Sequence, residues 1–378
     1  MSKNSHEDLE TVIKGLDKAK TLNIFMHDHP DPDTMASALV LEKIANHYSQ
    51  ECKIFYSKQS DFLMNRYTIN TLDLPFTRLK TLESPEKTID PMEYVALVDV
   101  ASPDMLRHYE LLEKKVVIDI DHHPNGNHVN SNPSNFVYKK KAGACVSFLI
   151  RWMKELGIGL HHDEDKSLII ASYLGIKVDT GGFSKSMENI DEEAKSYLES
   201  LITEEDYRTI STIENAPIPL LWLKKLGEVL HEFPSTKSGV SDVCCKGIGV
   251  VDDSGIIPYI SNFIYNTQIF TTVIIYGLNY NVATGNVYDE LSLKASGRSS
   301  SNAIKLSDVF SDIFYKLTEV GDKTHEGGGR KTTLAFAGAD IPLSEFRELN
   351  IEGLQKLYDT WQALIDSRVK TIFKTDKE

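Results

Sequence analysis

Val116-Val117-Ile118-Asp119-Ile120-Asp121-His122-His123-Pro124 is the stretch on which the reading of this chain turns. Four β-branched residues in its first five positions suit a central parallel strand covered on both faces. The carboxylates and imidazoles at its end need water, a partner or a metal. Chemistry is therefore expected at that carboxyl end. A strand followed by a polar turn with incidental histidines would read the same way, so the rest of the chain has to decide.

From residue 22 to about 180 strands and helices alternate. Leu22 to Met26 reads as a strand, and Asp33 or Thr34 as the cap of a helix with Ala38, Leu41, Ile44, Ala45 and Tyr48 on one face. Strands follow at Cys52 to Tyr56 and Tyr94 to Val98, with Ser102-Pro103 opening a helix. This alternation predicts a parallel α/β sheet whose carboxyl ends gather on one edge. That edge would collect His27-Asp28-His29-Pro30-Asp31-Pro32-Asp33, then Asp99, then Asp121-His122-His123. A fourth contribution, Val178-Asp179-Thr180-Gly181-Gly182, follows a helix over about 163–174.

Mixed carboxylate and imidazole ligands without thiolate suit manganese or magnesium, with iron, cobalt or zinc as substitutes. Five or six candidate ligands exceed the need of one catalytic ion that keeps open positions, so two cations are expected. A pair about 3.5–4 Å apart can generate a bridging hydroxide and neutralise a phosphoryl transition state.

The ordered set HxxPDxD, a lone Asp after an apolar strand, DHH and a later Asp resembles the DHH phosphoesterase superfamily over residues 22 to about 185. The resemblance implies two metal ions, usually Mn2+ with Mg2+ or Co2+ as substitutes, and cleavage of phosphodiester or phosphoanhydride bonds. It implies that His27 and Asp31 hold one metal, that Asp33, His122 and Asp179 hold the other, and that Asp99 bridges them. His123 resembles the family histidine that contacts the scissile phosphate or the leaving oxygen. Asp121 is read as orienting an imidazole, and Asp28 and His29 as solvated loop residues. Asp191-Glu192-Glu193 is read as ordinary acids of a helical first turn.

Residues 186–235 look helical, which predicts a catalytic domain over 1–195, a helical connector over 196–235 and a smaller mixed-sheet α/β domain over 236–378. Strands are expected at Gly247 to Val251, Phe270 to Tyr276 and Leu291 to Ala295. Lys294-Ala295-Ser296-Gly297-Arg298 resembles the strand and phosphate-gripping arginine of the family's accessory domain, DHHA1, as in nanoRNase-like, RecJ-like and exopolyphosphatase-related members. An arginine fork can hold two phosphate oxygens; a surface salt bridge is the plainer alternative for Arg298. Gly327, Gly328 and Gly329 allow close backbone approach to an anion or a nucleobase. The family pattern there is GGGH, and Arg330 replaces its histidine. Arg330 and Lys331 would favour a more highly charged end, such as a terminal phosphate. A helix over 351–373 is read as packing against this domain or across a homodimer.

With 378 residues, 41% of them hydrophobic, the chain can bury a sizeable core. Its formal net charge of -14 argues against long duplex nucleic acid but leaves short anionic substrates open. No window approaches a membrane span and the first ten residues are polar, which predicts a soluble, cytoplasmic protein. Cys52, Cys145, Cys244 and Cys245 lack metal or disulfide spacing and read as packing residues. The expectation is a manganese-dependent phosphoesterase acting on short oligonucleotides, linear dinucleotides or phosphorylated nucleotides. The alternatives are a pyrophosphatase or exopolyphosphatase on the same centre, and a nucleotide-binding or nucleic-acid-binding regulator without turnover.

Overall fold

The computed structural model describes residues 5–57, 60, 62–79, 85–89, 91–106, 109–123, 135–184, 187–232, 243–282, 288–301, 306–314, 325–327, 334–340 and 351–372. They form two compact units, Met1–Ala216 and Pro217–Glu378.

The first unit runs α1 (Ser5–Gly15), β1 (Leu22–Phe25), α2 (Pro32–His47), β2 (Cys52–Tyr56), α3 (Leu63–Thr71), β3 (Phe76–Arg78), α4 (Pro85–Ile89), β4 (Tyr94–Val98), α5 (Tyr109–Leu112), β5 (Val116–Asp121), β6 (Phe136–Lys139), α6 (Cys145–Glu155), α7 (His162–Asp179), α8 (Asn189–Glu199) and α9 (Glu204–Glu214). All six strands are parallel, in the order β3-β2-β1-β4-β5-β6. Alternation of side chains across the strands builds a core on each face. Ile24, Ala96, Val98, Ile118 and Ile120 pack with α2, α6 and α7, while Phe25, Phe55, Val95 and Leu97 pack with residues of α4 and α5. The strand order reverses direction between β1 and β4, and at such a switch point the loops leave in opposite directions and open a crevice.

The structure corrects several local expectations. Asp31, rather than Asp33 or Thr34, caps α2: its side chain accepts from Asp33 N and Thr34 N, with Pro32 at the first turn. Ser102-Pro103 opens only a single 3-10 turn, Pro103–Met105. Helix α7 runs on to Asp179, past the end expected near residue 174, so that residue closes the helix. Leu198, Ile210 and Ile213 belong to the core of the first unit, so the chain divides inside the expected connector.

The second unit contains α10 (Leu220–His231), β7 (Val243–Val251), α11 (Ile256–Asn266), β8 (Thr272–Val282), β9 (Tyr288–Ser299), α12 (Leu306–Phe314), β10 (His325–Gly327), β11 (Leu334–Asp340) and α13 (Ile351–Ile372). Its five strands are ordered β10-β11-β9-β8-β7, with β7 and β8 parallel and the other pairs antiparallel. Ile274, Tyr276, Leu278, Leu291, Leu293 and Ala295 on one face of the sheet meet Phe310, Ile313, Tyr358, Trp361 and Ile365 from α12 and α13. No helix among the described residues is long and apolar enough to cross a membrane.

One buried acid ties α7 to α9. Asp206 is fully buried, and its Oδ2 accepts from Thr203 N at 2.8 Å, Thr203 Oγ1 at 2.7 Å and His162 Nε2 at 2.6 Å, with Lys166 Nζ 3.3 Å from Oδ1. Burial would raise its pKa, but Thr203, His162 and Lys166 outweigh that and hold it at about 2. A depressed carboxyl contributes stability that is present above its ordinary value near 3.8 and lost as pH falls toward 2. In urea titrations across pH 2–5, Asp206→Asn is expected to flatten this acid limb and to lower stability near neutrality by about 1–3 kcal/mol. An unchanged slope would refute the assignment.

Candidate metal centre

The carboxyl edge at the β1/β4 switch point carries the predicted residues. His27 follows β1 and Asp31 begins α2, with Asp33 in its first turn; Asp99 follows β4, His122 and His123 follow β5, and Asp179 ends α7. Three interlocking groups result: His27, Asp31 and Asp99; Asp33, His122 and Asp179; and Asp99, His122 and His123, each offering ligand atoms within 4.8 Å of one another. Asp99 stands in the middle. His27 Nε2 lies 3.9 Å from Asp99 Oδ2 and 3.8 Å from Asp31 Oδ2. His122 Nε2 lies 3.4 Å from Asp99 Oδ1, 3.4 Å from Asp179 Oδ2 and 3.9 Å from Asp33 Oδ2.

Local structure explains how an acid as crowded as Asp99 is held. Its backbone is left-handed at φ 56 while its N–H donates to Ile120 O at 2.8 Å, so the chain turns sharply at the strand end. Aspartate tolerates this conformation better than most side chains. At Thr180-Gly181-Gly182-Phe183 three successive residues, from Gly181 on, also take positive φ, which makes the two glycines the residues suited to turn the chain after Asp179. On α7, a Cβ at Gly175 would come within 2.9 Å of Asp33 Cα and 3.0 Å of Pro32 O, so glycine lets the helix close on the first turn of α2.

The electrostatics are those of a crowded, buried cluster of acids and imidazoles. Burial first, then the neighbouring Asp99 carboxylate, push the Asp33 carboxyl up to about 7. Asp179 is raised as well, by burial and by Asp31, Asp33 and Asp99. Burial alone would depress the His122 imidazole, but Asp99, Asp33 and Asp179 outweigh it and push it up to about 11. Burial at His27 is likewise outweighed by Asp31, Asp99 and Asp28. Asp99 Oδ1 and His122 Nε2 are buried without a hydrogen-bond partner among the described residues. Oxygen and imidazole donors converging on such orphaned atoms fit hard or borderline divalent ions.

His123 is half-exposed, and its Nδ1 lies 2.8 Å from Asp121 Oδ1 and 3.7 Å from Asp99 Oδ1. Asp121 thus orients an imidazole, as read from the sequence. Asp28, expected to be solvated, is buried, and its N–H donates to Met105 O at 2.8 Å. Two long-range supporting bonds had no counterpart in the sequence reading, which took Asp191 only as a first-turn acid. Asn65 is buried on α3 and donates to Pro30 O and Ser60 Oγ, each at 3.0 Å, fixing the loop that carries Asp31. Asp191 is fully buried and accepts from Gly143 N at 2.7 Å. Contacts across 35 and 48 residues leave no local sequence signal.

In the second unit Arg298 is buried, not a surface residue. Its Nε donates to Asn262 Oδ1 at 2.6 Å and Nη1 to Gly297 O at 2.8 Å and Ser296 Oγ at 3.1 Å; burial lowers its pKa to about 10. Gly327 ends β10 opposite Phe336. Gly328, Gly329, Arg330 and Lys331 lie outside the described residues.

Fold and site together define a parallel-sheet α/β protein with a carboxylate–imidazole centre at the switch point. Residues 21–177 match the DHH family, N-terminal domain. An uncharacterized protein of Methanocaldococcus jannaschii is 25% identical over 344 residues, 91% of this chain and 63% of that protein; the chain thus spans about 63% of its relative's length. The crystal structure of an exopolyphosphatase-related protein from Bacteroides fragilis covers 99% of this chain and 98% of its own, with 14% identity and a TM-score of 0.54, which is a likeness of fold. RecJ in complex with Mn2+ from Thermus thermophilus aligns over 98% of this chain and 55% of its own at 12% identity, with a TM-score of 0.46, a similarity too slight to carry weight.

If the clustered acids bind cations, Mn2+ at a hundredfold excess over its Kd should stabilise the protein by about 2.7 kcal/mol, raising the melting temperature by about 5–10 °C. Asp99→Asn is expected to abolish most of that rise. An equal rise in the variant would remove Asp99 from the centre.

Proposed function

We propose that this protein is a metal-dependent phosphohydrolase that cleaves phosphodiester or phosphomonoester bonds of short oligonucleotides, linear dinucleotides or phosphorylated nucleotides. The observation that carries the reading is the position of Asp99, whose two carboxylate oxygens face two different ligand groups. In this reading His27 and Asp31 would hold one cation and Asp33, His122 and Asp179 another, with Asp99 shared between them. Two divalent cations, Mn2+ foremost with Mg2+ or Co2+ as substitutes, would supply Lewis acidity toward a phosphoryl oxygen and a more acidic water.

The chain's own residues do the rest. Asp33 and Asp179, whose carboxyls burial pushes up, would serve as ligands only in their ionised form. Burial would lower the His123 imidazole, but Asp121 and Asp99 outweigh it, and a charged ring can donate to a phosphate oxygen or protonate the leaving oxygen. Asp121 holds Nδ1 of the ring, which would leave Nε2 free to face a substrate. Residues 1–195 would be the catalytic part, 196–235 the connector and 236–378 the substrate-binding part of a cytoplasmic enzyme. There Arg298, Gly327, Gly328, Gly329, Arg330 and Lys331 select the phosphate group of the substrate. A second reading, pyrophosphate or polyphosphate hydrolysis, draws on Arg330 and Lys331, whose added charge suits a terminal phosphate.

The test is a panel of linear dinucleotides, 3'-phosphoadenosine 5'-phosphate, cyclic dinucleotides and polyphosphate, incubated with purified protein and Mn2+ and resolved by mass spectrometry. Mononucleotides, or a nucleotide short of one phosphate, are the expected products. Orthophosphate released without a nucleobase requirement would install the second reading, and tight ligand binding without any product would make the protein a regulator. His123→Ala should lower kcat about 10²–10⁴-fold while Mn2+ binding persists.

A further inference from the structure

We infer that the short segment Ala142–Val146, a loop that runs into the first turn of α6 and is clamped by Asp191, sets the geometry of the Asp33–His122–Asp179 group, so that Asp191 and Gly143 are positioning residues for the cation this group would hold. The inference rests on the metal-centre reading above.

Two of these ligands, and the residue that follows the third, meet this one segment. His122 Nδ1 lies 3.1 Å from Ala142 O, so the ring donates there and presents Nε2 to the carboxylates. Asp33 Oδ2 accepts from Cys145 N at 2.6 Å and Oδ1 from Val146 N at 2.9 Å, across 112 and 113 residues of chain. Thr180, the residue after Asp179, packs so closely that a Cβ at Gly143 would lie 2.7 Å from its Cγ2. The loop is in turn fixed by Asp191: Oδ2 accepts from Gly143 N at 2.7 Å and Glu188 N at 2.8 Å, and Oδ1 from Ala144 N at 3.2 Å. A Cβ at Gly143 would also come within 2.7 Å of Asp191 Oδ2, so the position suits no larger residue.

Asp191 does more than a first-turn acid is expected to do. Its bond to Glu188 N closes the capping box of α8, and its bonds to Gly143 and Ala144 reach across to the metal-site loop. A carboxylate can take three N–H donors, whereas an amide would turn its own NH2 toward some of them. The His27–Asp31–Asp99 group stands on other supports, namely the α2 cap, the Asn65 bond to Pro30 and the Asp99 bond to Ile120. Disturbing the clamp should therefore act on one group and spare the other. Partners that orient metal ligands are typically worth 10–100-fold in affinity.

The test is Mn2+ titration of the full chain by calorimetry and electron paramagnetic resonance, for wild type, Asp191→Asn and Gly143→Ala. Two binding events are expected in the wild type, and either variant should weaken one of them about 10–100-fold while the other is unchanged. Asp179→Asn should remove the same event, and Asp31→Asn the other. Lys141→Ala, which breaks an exposed pair with Glu188 beside the loop, should leave both events as they are. In metal-free protein the Cys145 and Val146 amides should exchange hydrogen faster in Asp191→Asn. Equal weakening of both events, or unchanged exchange at these two amides, would overturn the clamp. A wild type that takes up no Mn2+ would instead refute the metal centre, while the amide exchange would still decide for or against the clamp.

Discussion

The structure of the first unit depends on a crowd of like charges held at one sheet edge. Asp33 and Asp99 are almost fully buried, Asp179 is largely so, and His27 and His122 are buried among them. Burying ionised carboxylates without compensation is costly, and placing them side by side adds repulsion. That Asp33 and Asp179 are driven toward neutrality while His27 and His122 are driven toward positive charge expresses the same constraint from both sides. Divalent cations would relieve it directly, and the clustered donors could hold them.

Such a cluster must be imposed by the surrounding fold, and rigid backbone does most of the imposing. The α2 cap turns Asp31 inward while leaving Asp33 one step along the helix, so two acids separated by a single proline face different groups. Gly175 admits α7 against that first turn, and the left-handed Asp99 halts β4 where the sheet order reverses. These features spend local stability on geometry, a pattern common at functional sites. The helices behind them supply the compensation through an extensive apolar core.

The second unit follows a different plan. Its sheet has one strongly apolar face against α12 and α13, while Ser292, Ser296 and Arg298 fall at alternate positions of β9 and are buried polar residues. The Arg298 guanidinium lies among amide and hydroxyl partners, with its charge partly disfavoured by burial. A buried arginine held in this way has its guanidinium fixed by neutral partners.

The sequence by itself determined the parallel α/β class, the strands at 22, 52, 94 and 116, and the six residues that the fold gathers, because apolar runs ending in acids are visible in one dimension. It also separated Asp31 and His27 from Asp33, His122 and Asp179, although there the family resemblance, and not spacing, supplied the grouping. It misplaced the cap of α2, ended α7 before Asp179 and read Asp28 as solvated, since capping geometry and burial depend on neighbours far along the chain. Asn65 had no signal, and Asp191 showed only as a first-turn acid: each acts through a side-chain bond to a distant backbone group, and such bonds exist only after the helices have docked. What the tertiary structure decided is therefore the position of Asp99 between two groups and the network that holds each group in place, because both depend on distances that only the packed sheet and helices set.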